Sequence, residues 1–111
     1  MERPIDGNAF YTVTDTGEVY SYCSGQPLEL KWDISNGYPR VNIGGKRRYV
    51  ADLVAETFLP PPKDPRYKIF YIDGDRCNCN VDNLAWLSQS DIQFCSQYTI
   101  EYRKQYIRER A

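Results

Sequence analysis

The sequence predicts an α+β fold: a small antiparallel β-sheet followed by a helix, then a strand–turn–strand–helix unit that ends in a C-terminal helix. Three observations predict it. Between residues 10 and 50, β-branched and aromatic residues alternate between turn signals. At Ala51 the apolar period becomes helical, and Pro60-Pro61-Pro62 stops it. Two short apolar runs then flank Asp73-Gly74-Asp75 and lead into a segment of helix formers. A length of 111 residues suits one core and is short for two. The expected organisation is a single domain, 1–111, with a β module at 10–50, a compact unit at 51–96 and a helical extension at 97–111.

Each element has its own signal. Phe10 to Thr14 and Val19 to Tyr22 form a hairpin around Asp15-Thr16-Gly17-Glu18. Leu28 to Trp32 and Tyr38 to Ile43 make two more strands around Asn36-Gly37, and Gly44-Gly45 turns the chain into a last strand, Lys46 to Val50. Leu53, Val54 and Phe58 give the next segment one apolar helical face. Ile69 to Ile72 and Leu84 to Leu87 are the later strands, and Ser88 or Ser90 caps a final helix with Asp91 in its first turn. That helix runs to near the C-terminus, with Tyr98, Tyr102 and Tyr106 on one face and Arg103, Lys104, Arg108 and Arg110 beside them. A tyrosine stripe packed on the core is the favoured reading, and a partner or nucleic-acid surface is the sharper one.

Composition restricts function. The net charge is −1 and the pI about 5.4, which argues against a strongly basic DNA-coating protein. Charge is nonetheless segregated: residues 31–48 carry a net +4 and residues 49–96 a net −3. The apolar runs span only a few residues and the start lacks a signal-peptide core, so no membrane span is expected and the cytoplasm is the expected location. Four cysteines, Cys23, Cys77, Cys79 and Cys95, are then expected as free thiols, because their spacing suits neither a zinc site nor bridges in a reducing compartment. No cofactor is expected.

Four segments in order carry a family likeness. Tyr11 to Ser21 resembles the short N-terminal module that precedes phage-type HNH homing-endonuclease domains, and Asn36 to Ile43 resembles the strand pair that follows it. Tyr49 to Pro60 is similar to the family's helix. Phe70-Tyr71-Ile72-Asp73-Gly74-Asp75 and Val81-Asp82-Asn83-Leu84-Ala85-Trp86 are similar to the nuclease motif itself. The resemblance covers residues 10–95 in one register and implies a ββα-metal fold at 51–96 and a phage or mobile-element origin.

The departures fall on the chemistry, and the sequence contains no histidine. The resemblance assigns the general base to Tyr71, one metal ligand to Phe70, the other to Ile92, and the helix histidine to Ala51. Hydrolysis of a phosphodiester with a metal needs oxygen or nitrogen ligands and a base with a pKa near neutrality. Phenylalanine and isoleucine supply no ligand, and tyrosine titrates near pH 10. An alternative centre on Asp73 and Asp91 lacks a base. Asp73, Asn78 and Asn83 are instead expected to fasten tight loops, and Trp86 and Phe58 to lie in the core.

The sequence therefore points to a catalytically inactive HNH-like protein with no catalytic, cofactor or metal residues, acting as a binding module. The leading expectation is a host or phage protein as partner, inhibited or regulated through the arginines and tyrosines of the last helix. The alternative is a non-cutting DNA-binding protein that uses Lys46, Arg47 and Arg48 with Tyr98, Tyr102, Arg103, Lys104, Tyr106, Arg108 and Arg110, and binds weakly.

Overall fold

A computed structural model describes residues 1–110, arranged as three small antiparallel sheets and three helices in a body 45 × 25 × 23 Å. The first sheet has strands β1 (Glu2–Ile5), β2 (Asn8–Thr14), β3 (Val19–Ser21) and β4 (Leu28–Glu29), in that order. The second has β5 (Asp33–Ser35), β6 (Tyr38–Ile43) and β7 (Lys46–Tyr49). Helix α1 (Val50–Phe58) follows directly. Strands β8 (Lys68–Tyr71) and β9 (Leu84–Leu87) form the third sheet, followed by α2 (Gln89–Cys95) and α3 (Ile100–Arg110).

The N-terminal β module is thus two sheets where one was expected. Leu28 to Trp32 does not form a single strand: Leu28 and Glu29 pair with β3, and the partner of β6 begins at Asp33. The Trp32 indole explains part of the break, because its N–H donates to the Gly17 carbonyl at 3.2 Å and holds the chain across the β2–β3 turn. Gly17 has φ +98°, a backbone conformation that favours glycine, and a Cβ there would crowd that of Cys79 at 3.2 Å. Asn36 and Gly37 both have positive φ, 55° and 83°, as a two-residue hairpin turn demands. Strand β1 gave no sequence signal because Arg3-Pro4 interrupts its alternation, yet it pairs along β2.

Helix α1 organises the main core. Leu53 and Val54 are fully buried against Val13, Val19, Val41 and Ile43 of the first two sheets and Leu84 of the third. Leu59, extended ahead of Pro60, ends the helix as a residue before proline should. Phe58 is half-buried at the edge of this core, with the Arg3 guanidinium 5.2 Å from its ring centre, so it covers the core from its margin. A second cluster consists of Phe70, Ile72, Ala85, Leu87 and Cys95, with Ile92, Tyr106 and Ile107 packed against it. Among the described residues no helix is long and apolar enough to cross a membrane.

The final helix divides. The Ser88 side chain caps α2 by accepting from the Asp91 backbone N–H at 3.1 Å, as one of the two expected caps. The helix ends at Cys95, however, and Ser96 turns its hydroxyl back onto the Ile92 carbonyl at 2.7 Å. Tyr98 therefore lies in the corner between α2 and α3, and the three tyrosines do not share one helical face.

Candidate functional site

The β8–β9 hairpin and α2 bring Phe70, Tyr71 and Ile92 to the positions where the resemblance places the nuclease chemistry. Phe70 is 6% exposed and Ile92 packs against the same apolar cluster, so hydrocarbon fills both ligand positions. A divalent cation does not fit there, since neither side chain has a donor atom. Among the described residues, no group of three or more acids and cysteines is placed to hold a metal. Tyr71 is half-buried, and that burial, with Cys79, Tyr38 and Asp52 nearby, raises its pKa well above the ordinary tyrosine value. Its phenol therefore keeps its proton at neutral pH and is no general base. Ala51 is buried in the first turn of α1.

The Asp73 loop is a closed network of its own. Asn83 accepts from the Asp73 backbone N–H at 2.9 Å and donates to Asp73 Oδ1 at 2.9 Å and to the Asn78 carbonyl at 3.1 Å. Asn78 donates to Asp73 Oδ2 at 2.8 Å, and the Asp75 backbone N–H donates to Oδ1 at 2.8 Å. Burial opposes ionisation of Asp73, but the donors from Asn78, Asp75 and Asn83 outweigh it and hold the carboxyl below its usual range. Asp91 is engaged elsewhere, accepting from the Tyr106 hydroxyl at 2.8 Å and facing Arg110 at 3.5 Å. The two carboxylates thus serve separate structural contacts.

Trp86, expected in the core, is half-buried on β9 and lines a cavity of about 270 Å³ with Pro60, Tyr67 and Ile107. Its indole N–H is buried without a partner. The four cysteines are free, with Cys23 and Cys77 exposed and Cys79 and Cys95 buried. Burial pushes the Cys79 thiol up to about 12.

The basic residues separate by role. Lys46 is exposed after the Gly44-Gly45 turn, whereas Arg48 is paired with Glu56 at 2.8 Å. Arg47 points to the other face of the sheet and shares Asp33 with Arg40, whose own contact is 2.7 Å. On this face Arg40, Asn42 and Arg47 stand among Tyr38 and Tyr49, whose rings lie edge-to-face at 6.0 Å. Tyr38 also meets Tyr71 with its ring tilted, 5.9 Å between centres, and carries the Arg76 guanidinium 4.9 Å from its own centre. The Tyr–Arg face is therefore continuous with Tyr71, a juxtaposition that motif spacing did not reveal. The alternating exposure of β6 was the signal that could have found it: Tyr38, Arg40 and Asn42 alternate with buried Pro39, Val41 and Ile43.

In α3, Arg103 does not project into solvent. Its guanidinium donates to the carbonyls of Ile72 (2.7 Å), Cys95 (3.0 Å), Tyr98 (3.0 Å) and Ser96 (3.1 Å), and sits 5.7 Å from the Phe70 ring centre. This corrects the expectation that Arg103 is free for a partner: it fastens α3 to the ββα unit. Tyr106 faces inward against the second cluster, and Arg110 lies 5.1 Å from its ring centre. Lys104, Arg108, Tyr98 and Tyr102 are exposed.

No protein-family model matches the chain, and no curated protein matches its sequence. Among solved structures, it is similar to the HNH homing endonuclease I-HmuI, from a study of that enzyme's DNA binding and cleavage, with a TM-score of 0.70 and 28% sequence identity. The match covers 96% of this chain and 65% of that chain, so this chain spans less than two thirds of the endonuclease. The chain has an HNH-type fold, as the residues at 10–95 led us to expect.

Proposed function

We propose that this chain is a non-cleaving HNH-fold module that binds duplex DNA through the Tyr–Arg face of its second sheet. The absence of cleavage is supported by Phe70 and Ile92, which offer a metal no donor, and by Tyr71, which offers water no base near neutral pH. The observation that carries the binding is the grouping of Arg40, Arg47 and Arg76 with Tyr38 and Tyr49 on one face. Arginine and tyrosine side chains are regular donors to phosphate oxygens. Asp33 is shared by two arginines, leaving part of their charge uncompensated. Exposed ion pairs of this kind are worth about 0–1 kcal/mol, so a phosphate can displace the carboxylate.

The similar endonuclease binds DNA, which supports nucleic acid over the protein partner that the net charge suggested. Three arginine–phosphate contacts correspond to a log-log salt slope of roughly −3, and hence to modest affinity. Anisotropy of a labelled duplex across a salt series tests the reading, together with supercoiled plasmid incubated with magnesium or manganese. The expected outcome is intact plasmid and a binding slope that Arg40→Gln with Arg47→Gln reduces by about 2. An unchanged slope overturns the face. Nicking that copurifies with the protein and disappears in Asp73→Ala with Asp91→Ala overturns the absence of cleavage.

A further inference from the structure

The third sheet has two strands, so β9 pairs with β8 along one side and with no strand along the other. The alternation of antiparallel pairs fixes which backbone groups face that open edge. One step beyond the Tyr71–Leu84 pair, the Ile72 N–H donates to the Asn83 carbonyl at 2.8 Å, so Phe70 with Ala85 and Lys68 with Leu87 are the hydrogen-bonded pairs that follow. Leu84 and Trp86 therefore turn their backbone groups away from β8. The Leu84 N–H donates to the Val81 carbonyl. The Leu84 carbonyl and both the N–H and the carbonyl of Trp86 have no partner among the described residues. The cavity of about 270 Å³ lies on this edge, touching all four residues of β9. Leu84 packs in the first cluster, and Ala85 and Leu87 in the second, so a cavity that touches all of them wraps around the rim of the sheet. Its other lining comes from Pro60-Pro61-Pro62 and Tyr67 after α1 and from Ile107 and Arg110 on α3, which leaves the edge recessed in a groove.

We propose that β9 receives a third strand: an extended segment of a partner protein, apolar at alternate positions and acidic where it leaves the groove. One residue of an antiparallel segment would exchange two hydrogen bonds with Trp86, and the residue two places on would donate to the Leu84 carbonyl. Main-chain bonds then supply affinity and the cavity selects the side chains between them. The volume is below the roughly 300 Å³ at which small-molecule pockets begin, and suits a side chain or two. Charge complementarity gives the segment its sign. Lys63 at the rim is exposed and has no ion pair among the described residues, and Arg110 reaches Asp91 only at 3.5 Å, while that carboxylate already accepts from Tyr106. A phosphodiester backbone has no N–H for the two open carbonyls, which favours peptide over nucleic acid. A folded second copy would have to bring its own recessed β9, and two-fold pairing would set the Lys63 and Arg110 of both copies around one groove. The groove uses none of the residues on the second-sheet face, so it stands or falls apart from the duplex reading.

A display library of random peptides about six residues long, a typical strand length, tests the proposal when panned on the whole chain. The enriched peptide should alternate apolar residues and carry an acid at one end. Synthesised with a fluorophore, it should slow hydrogen exchange at the Trp86 backbone amide on binding. N-methylation walked along the peptide should weaken binding about tenfold at alternate positions and leave the positions between them unchanged, because only every second N–H of a strand faces its neighbour. Lys63→Glu should weaken the acidic peptide several-fold. Trp86→Pro removes the outward N–H at an edge position and should abolish binding; if it fails to fold, the N-methyl scan decides on the unaltered chain. No enriched peptide, a scan without alternation, or protection confined to amides outside β9 overturns the proposal. So does a DNA duplex that displaces the peptide, which would give the groove to nucleic acid, or a dimer by light scattering that the peptide dissociates, which would give it to a second copy. Loss of duplex binding in Arg40→Gln with Arg47→Gln, with peptide binding intact, bears on the second-sheet face and leaves the groove standing.

Discussion

The two apolar clusters were assembled under different constraints. The first lies where α1 meets three sheets, and its members are the aliphatic residues that the periods of 2 and 3.6 select. The second contains Phe70 and Ile92, the positions to which the family resemblance assigned metal ligands. A cluster on those positions gains packing of the kind a polar, solvated metal site forgoes. The comparison teaches that this scaffold holds its shape with hydrocarbon at these positions, provided that something covers it. Here α3 covers it, through Tyr106, Ile107 and the four carbonyls that Arg103 gathers.

The severest way to break this comparison is to introduce a ligand. Phe70→Asp removes a buried ring and puts a carboxylate into the second cluster, a cost of at least about 5 kcal/mol that equals the whole stability of many small domains. We expect a variant without a cooperative melt by circular dichroism. A variant that melts like the parent would mean that the position still tolerates a donor, and would reopen the metal question.

Leu53→Ala is the matching cut in the first cluster, where the side chain is fully buried between all three sheets. The expected loss is about 3 to 5 kcal/mol in urea unfolding. A loss below about 1 kcal/mol would show that the first core closes around the gap, and that α1 is not the organiser assigned above.

These two cores were not equally legible. The first was readable because alternation and helical period mark its residues directly, and the turns at Asn36-Gly37 and Gly44-Gly45 fixed the hairpins. The second was readable only as substitutions against a motif, and its cover was not readable at all. Nothing local distinguishes an arginine that collects four carbonyls from one that waits for phosphate, so Arg103 was grouped with Lys104 and Arg108. The break at Ser96 was missed for a similar reason: residues 89–110 contain no glycine or proline, and a serine hydroxyl turned onto the preceding turn is a weak stop signal. The Tyr–Arg face escaped because its residues come from β6, β7 and the loop at Arg76, which the fold alone brings together.

Arg103→Ala sharpens the comparison by removing the cover while leaving both clusters their apolar residues. Loss of the charged hydrogen bonds should cost about 2 kcal/mol. Hydrogen exchange should then show α3 amides opening about 30-fold more often, with α1 amides changed no more than the global stability requires. Equal deprotection of α1 and α3 would mean that the cover and the first core unfold as one unit.

The smallest effect is a pair of opposed pH dependences, one from each region. In the loop beside the second cluster, Asp73 is partly desolvated, but donors from Asn78, Asp75 and Asn83 leave its folded pKa below the ordinary value of about 3.9. The folded state then releases this proton more readily than the unfolded chain. Asp73 therefore contributes stability that is fully present above about pH 4 and is lost as the pH falls through its folded pKa. On α1, Asp52 behaves oppositely. Burial first, and then the neighbouring Glu56, raise its pKa against the partial relief of Arg48. Its ionised form costs stability at neutral pH, and that cost is relieved as the pH falls through the raised value toward the ordinary one. Thermal melts between pH 3 and 7 separate the two. Asp52→Asn should melt higher than the parent at pH 7 and converge with it near pH 4. Asp73→Asn should melt lower at pH 7, with the gap narrowing below pH 4. A gap for Asp73→Asn that stays constant down to pH 3 would assign the loop's stability to its geometry alone and remove the carboxylate's charge from the account.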